Sequence, residues 1–370
     1  MSYDVIIAGA GFSGSSAARI LAERGKKVLL IEKRDHVGGN CYDLKNAFGI
    51  TIQKYGPHIF HTQSEAVWEF LNRFSDFNDY KHKVLSKVGE KFYPIPINKT
   101  TVCDFLNLDI NTVNIAEILK QEVEKSTFSM PPRNFQDQVI SQVGERLYEA
   151  FFKGYTMKQW GKEPENLAAD IAKRVPVRDN LDDYYFSDKY QGIPTNGFTL
   201  LFEKMLDHPN ITVLLNTDYF EVRSRYKSEL TVYTGELDRF FDYKYGHLEY
   251  RSLEFKYENL EQKQFQPVAV VNYPGDEPWT RITEYKQFLR ENVDWTTLCY
   301  EYPASKGEPY YVIINDENLK KRELYMQEAQ KLEADGSVLF IGRLAEYKYY
   351  NIDQVVESVI IKVKNVRQNV

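Results

Sequence analysis

The sequence predicts an α/β fold: a parallel nucleotide-binding sheet interrupted by a helical insertion and by a second, antiparallel sheet. Three observations predict it. Tyr3–Glu32 reads strand, glycine-rich turn, helix, strand and acid, in that order. Residues 100–155 switch to a helical period, and residues 230–315 are rich in short apolar and aromatic strand segments.

The first stretch organises the rest. Val5-Ile6-Ile7-Ala8 is an apolar run of the kind found in buried parallel strands. Gly9, Gly11 and Gly14 give G-x-G-x-x-G, with Phe12 and Ser13 inside the motif and Ala17, Ala18, Ile20 and Leu21 on the helix behind it. Val28–Ile31 is the second strand and Glu32 ends it. Glycines let the backbone approach a pyrophosphate, the helix N-terminus offers unpaired N–H groups, and the acid takes ribose hydroxyls. Lys33 follows, then Gly38, Gly39 and Asn40. A second glycine pair just past the ribose acid resembles FAD-binding flavoproteins of the glutathione-reductase type, which points to FAD ahead of NAD(P). The nucleotide-binding stretch starts at residue 1, so no signal peptide is expected ahead of it.

A chain of 370 residues is long enough for two or three domains. No apolar run approaches the ~20 residues of a membrane span, and a net charge of -6 argues against nucleic acid as a general partner. Cys41, Cys103 and Cys299 are far apart and lack metal-ligand spacing; they read as ordinary thiols of a reducing cytoplasm. The 27 tyrosines and 22 phenylalanines exceed what a core alone asks for, and tyrosines at a cleft hold sugars and bases.

Along the chain, Gly56-Pro57 forces a turn ahead of His58 and His61, which lack the partners of a metal site; a structural turn is the alternative. Residues 64–75 are expected to be helical, and Lys83–Ile97 extended, with an edge segment around Pro94 and Pro96. Two amphipathic faces follow, Ile115 to Val123 and a longer one from Phe135 to Leu147. Gly154, Gly161 and Pro164 are expected to break the helix and leave Trp160 in a surface loop, as a lid or as simple packing. Ile211–Leu215 and Val338–Ile341 are expected in the parallel sheet, Leu230–Tyr233 in the antiparallel one, and Ile352–Val363 as a closing helix. The expected partition is 1–80, 190–230 and 316–370 for FAD; 100–189 for the helical lid domain; 81–99 and 231–315 for the antiparallel sheet domain.

Longer stretches carry a family resemblance: GPHIFHT (Gly56–Thr62), FFKGYTMKQWG (Phe151–Gly161), KRVPVR (Lys173–Arg178), VNYPGDEPWTRITEYKQF (Val271–Phe288), EPYY (Glu308–Tyr311) and IGRLAEYKYYNID (Ile341–Asp353). With them the chain resembles bacterial UDP-galactopyranose mutases over essentially its whole length. The resemblance implies an FAD enzyme with an inserted helical domain and an antiparallel sheet domain, converting UDP-galactopyranose to UDP-galactofuranose for cell-surface polysaccharides, as a cytoplasmic homodimer. It implies Arg174 and Arg281 on the substrate diphosphate, where a planar guanidinium fork suits phosphate oxygens. It further implies uracil stacking at Tyr155 beside Phe151 and Phe152, and Trp160 on a mobile lid. Tyr185, Asn272, Tyr311 and Tyr349 fall near the sugar and diphosphate; His58, Ile59, His61, Arg343 and Asp353 fall near the flavin. Asn351 stands where the family pattern has an aspartate, keeping hydrogen bonding and losing charge; Gly235–Asp238 departs more mildly.

In that chemistry reduced flavin N5 attacks the anomeric carbon and UDP leaves, with NAD(P)H or a chemical reductant as electron source. Two rivals share the amino-terminal motif. A flavin amine oxidase-like oxidoreductase would oxidise its substrate, and a non-catalytic nucleotide-binding carrier need not retain a flavin.

Overall fold

The computed structural model describes residues 2–172, 177–364 and 366. Among these, five strands run parallel in the order Val338–Phe340, Leu230–Tyr233, Val5–Ala8, Val28–Ile31, Ile211–Leu214. Val5–Ala8 and Val28–Ile31 are buried at every position, which is why they read as unbroken apolar runs without alternation. Helix Phe12–Glu23 covers them through Ala17, Ala18 and Leu21 and meets Val359 and Val363 of the closing helix, Ile352–Lys364.

Leu230–Tyr233 departs from expectation. It pairs parallel with Val5–Ala8 and with Val338–Phe340, so the expected boundary after residue 230 cuts a strand of the parallel sheet. A four-residue apolar run fits either kind of sheet, and only the partner decides. The correction matters because this strand marks where strand order reverses. The chain leaves Val5–Ala8 toward one side and returns on the other, opening a crevice at the carboxyl ends.

The second sheet holds seven strands, in the order Tyr311–Val312, Tyr250–Leu260, Thr296–Ala304, Arg281–Glu284, Val270–Asn272, Val84–Val88, Lys91–Ile95. Neighbours are antiparallel except Val270–Asn272 with Val84–Val88. Pro94 lies on the edge strand, as its missing N–H requires.

Three helices of the insertion, Lys99–Leu106, Ile115–Glu124 and Phe135–Val143, each start at an asparagine. The side chains of Asn98, Asn114 and Asn134 accept the N–H of Thr101, Glu117 and Asp137, satisfying donors that the first turn leaves orphaned. Gly144, at φ 80°, interrupts the longer expected helix before Leu147. The chain then widens into a π-helical turn, Tyr148–Lys153, and continues as an α-helix, Gly154–Trp160. Trp160 is therefore not in a loop: it ends this helix and packs half-buried against the main core. Gly161, at φ 61°, does terminate the helix, but Gly154 does not break it. A Cβ on Gly154 would lie 2.1 Å from the Pro274 carbonyl oxygen, so this glycine permits close packing.

Candidate active site

Two cavities adjoin beyond the crevice. The first, about 240 Å³, is bounded by Gly9, Gly11, Phe12, Ser13, Glu32, Lys33, Gly39 and Asn40. Backbone makes its floor. Gly9 sits at φ 105°, and a Cβ on Gly14 would lie 1.8 Å from the Gly9 oxygen. Gly39 faces Gly11 so closely that its Cβ would lie 2.9 Å from the Gly11 Cα, which explains the second glycine pair. Helix Phe12–Glu23 has no side-chain cap and no acid in its first turn, leaving its N–H groups to an anion.

Glu32 is buried, and each carboxylate oxygen accepts one backbone N–H, from Ala10 at 2.8 Å and Arg34 at 2.9 Å. Those bonds orient it and leave further lone pairs for ribose hydroxyls. Lys33 and Arg34 close on Glu308 at 3.0 and 3.2 Å beside the cavity. Glycine floor, bare helix start and oriented acid together fit a flavin adenine dinucleotide. Gly14 lines no part of the cavity; it serves the close packing of turn and helix.

The second cavity, about 760 Å³, shares Asn40, His58, Tyr310, Arg343, Asn351 and Ile352 with the first. Ile59, His61, Phe151, Phe152, Tyr155, Trp160, Tyr185, Asn272, Arg281, Tyr311 and Tyr349 all line it. The residues expected at the substrate thus converge, with one exception: Arg174 lies outside the described residues.

Arg281 Nη2 donates to the Tyr155 hydroxyl at 2.8 Å, and its Nε lies 3.1 Å from Glu301 Oε1. Burial opposes its charge, but the Glu301 carboxylate holds the guanidinium pKa well above its ordinary value. Burial pushes the Tyr155 hydroxyl up to about 12, so it stays a neutral donor. Tyr311 and Tyr349 stack with ring centroids 5.9 Å apart, and Arg343 lies over the Tyr349 ring at 5.2 Å. Asn272 Oδ1, Gln159 Oε1 and Ser86 Oγ belong to residues lining the cavity and have no protein partner. Polar atoms in that state take their partners from solvent or from a bound ligand.

His58 Nδ1 lies 2.9 Å from the Gly56 carbonyl oxygen. A carbonyl only accepts, so Nδ1 carries the proton and Nε2 is left as an acceptor. Burial pushes the His58 pKa down to about 4, which keeps the ring neutral. His61 is held by Asp188 at 2.9 Å and stacks on Phe186 at 3.6 Å. Asp353, expected at the flavin, accepts from Thr62 Oγ1 at 3.2 Å in the first turn of the closing helix, and lines neither cavity. Among the described residues no group of His, Cys, Asp and Glu is arranged for a metal, and no helix is long and apolar enough to cross a membrane.

Among the lining residues that escaped the sequence reading are Ser86, His82, Gln159, Phe186, Asp188 and Glu301. Glu301 left a signal. In Thr296–Ala304 it shares the alternation of Thr297 and Cys299 and is 1% exposed, and a carboxylate in the buried phase of a strand needs a cationic partner.

Residues 150–349 match the family described as UDP-galactopyranose mutase, and residues 7–74 an NAD(P)-binding Rossmann-like domain. A probable UDP-galactopyranose mutase of Klebsiella pneumoniae is 39% identical over 364 residues, covering 96% of this chain and 93% of that one. The dTDP-fucopyranose mutase of Escherichia coli is 36% identical over 367 residues, covering 96% of each. A crystal structure of reduced UDP-galactopyranose mutase shares the fold at a TM-score of 0.78, with 17% identity, covering 99% of this chain and 95% of that one.

Proposed function

The chain belongs to the UDP-galactopyranose mutase family and is thereby an isomerase; from that premise we propose that it interconverts UDP-galactopyranose and UDP-galactofuranose with reduced FAD. One observation carries the reading. A cavity fitted to FAD opens into one where a charged arginine stands among tyrosines and unpartnered acceptors.

When bound, reduced FAD supplies a nucleophilic flavin N5 to the anomeric carbon, with UDP as the leaving group. The chain's own residues orient and stabilise. Arg281 meets the charge that gathers on the departing diphosphate; its fork is already aimed by Tyr155 and held charged by Glu301. Phe151, Phe152 and Tyr155 offer an apolar wall to a pyrimidine, the first two brought there by the π-helical turn. Asn272 and Gln159 accept from sugar hydroxyls. Neutral His58 presents Nε2 at the junction of the two cavities as an acceptor and adds no competing positive charge. Asn351, at the same junction, offers hydrogen bonds without a carboxylate's charge.

The Escherichia coli relative supports a second reading, with dTDP-fucopyranose as substrate of the same ring contraction. Anaerobic, dithionite-reduced enzyme is incubated with each nucleotide sugar and the products are separated. The expected result is furanose from UDP-galactopyranose, many turnovers per reduction, and no turnover by oxidised enzyme. A larger kcat/KM for dTDP-fucopyranose would favour the second reading. Reductant consumed in proportion to product would overturn both.

A further inference from the structure

The helix Gly154–Trp160 carries Tyr155 and Trp160 on one wall of the substrate cavity. The facing wall ends in a hairpin whose strands, Val270–Asn272 and Arg281–Glu284, bring Asn272 and Arg281 into register. The connecting loop, Tyr273 to Thr280, contains Pro274 and Pro278, which donate no N–H, so its carbonyls are short of partners within the loop. Four of them converge on one atom. Lys158 Nζ donates toward the carbonyl oxygens of Tyr273, Gly275, Glu277 and Trp279 at 2.5, 2.8, 2.9 and 3.1 Å. Every second residue of the loop turns its carbonyl inward, so the loop is wound around a single ammonium.

The same helix is tied down a second time. Arg251, 8% exposed on the strand Tyr250–Leu260, donates to the carbonyls of Gln159 and Lys158 at 3.0 and 3.3 Å. These are carbonyls that a helix end leaves without partners. Arg251 is in register with Tyr311, another residue of the cavity.

We propose that Lys158 is a positioning residue for substrate: by holding the 273–280 loop against the helix it sets the spacing between Tyr155 and Arg281. The inference rests on the reading that Arg281 meets the nucleotide diphosphate. An ammonium suits the task because it is compact and turns three rotatable N–H donors toward carbonyls on several sides, whereas a guanidinium presents its donors in one flat fork and would meet fewer of them.

The test is a double-mutant cycle on flavin-loaded protein, read as UDP affinity by titration calorimetry. Lys158→Met keeps the length of the side chain and removes its donors. The expected result is flavin content as in wild type and a UDP dissociation constant raised roughly tenfold, the scale of a small misplacement of binding groups. Lys158→Met added to Arg281→Ala should weaken UDP no further than Arg281→Ala alone, because Lys158 acts through the hairpin. A purely structural lysine would lower the unfolding midpoint and leave the UDP affinity of folded protein intact. That outcome, or effects that multiply in the double variant, overturns the proposal. Should Lys158→Met fail to yield flavin-loaded protein, Lys158→Arg enters the same cycle, with a smaller loss in the same direction expected and the same outcomes against it. Wild-type protein that binds no UDP overturns the substrate reading together with this inference, whereas unchanged binding in the variant overturns the inference alone.

Discussion

The two cavities are built by opposite means. The glycine floor of the flavin cradle is backbone, drawn from one stretch of chain, Ala8 to Cys41, and shaped by where side chains are missing; the rest of its lining comes from later segments such as Asp218–Phe220 and Glu308–Tyr310. The substrate cavity is mostly side chain, drawn from segments as distant as His58 and Tyr349, and shaped by buried charge and hydroxyls. A backbone site fails when something is added to it, and a side-chain site fails when something is removed. Changes in the two regions should therefore separate into loss of cofactor and loss of turnover.

The largest effect is expected at Arg281. Arg281→Ala should retain flavin while turnover falls by roughly 10²–10³, the usual consequence of removing one preorganised donor to developing charge. Steady-state kinetics on reduced enzyme, with the flavin spectrum recorded on the same sample, checks both halves. Flavin lost along with activity would erase the contrast between the cavities.

The complementary experiment adds a single methyl. In Gly14→Ala the new Cβ would start 1.8 Å from the Gly9 oxygen, so the turn must move. Overpacking of this kind costs about 1–3 kcal/mol, and flavin affinity should fall by roughly tenfold. Protein reloaded with excess FAD should regain most of its turnover, since nothing in the substrate cavity has changed. An absorbance ratio at 450 and 280 nm equal to wild type would show that the cradle is less confined than its glycines indicate.

The same contrast explains what could be read from the sequence. Gly9, Gly11, Gly14 and Glu32 were legible because a backbone cradle is local and its glycines keep a set spacing. The edge proline is local in the same sense, whereas the asparagine caps, equally local, went unread. Leu230–Tyr233 was misassigned because strand partnership is long-range: its neighbours begin at Val5 and Val338. Trp160 was misplaced because Gly154 looked like a helix breaker, when its lack of a Cβ answers to Pro274, far along the chain. Arg281 and the tyrosines emerged only through family resemblance, since one arginine or tyrosine on a strand carries no local mark. Lys158 escaped altogether, as its partners are carbonyls that begin 115 residues away.

The smallest expected effect concerns acid, and it arises in the wall of the substrate cavity. His82, 5% exposed, sits among Tyr80, Tyr185, Phe186 and Phe288 at the substrate cavity, and burial pushes its pKa from the usual 6.5 down to about 3, with Arg281 and His61 adding to the shift. Its folded pKa lies below its unfolded one, so the stability it contributes is complete above pH 6.5 and drains away as the pH falls toward 3. Between those limits the unfolded chain takes up a proton that the folded chain refuses, at about 1.4 kcal/mol per pH unit. From pH 7.5 to 5.5 wild type should therefore lose about 1.4 kcal/mol more stability than His82→Gln, measured by urea unfolding of flavin-loaded protein. Equal pH dependence in wild type and variant would mean that His82 is solvated in the folded protein and that the aromatic wall around it is open to water.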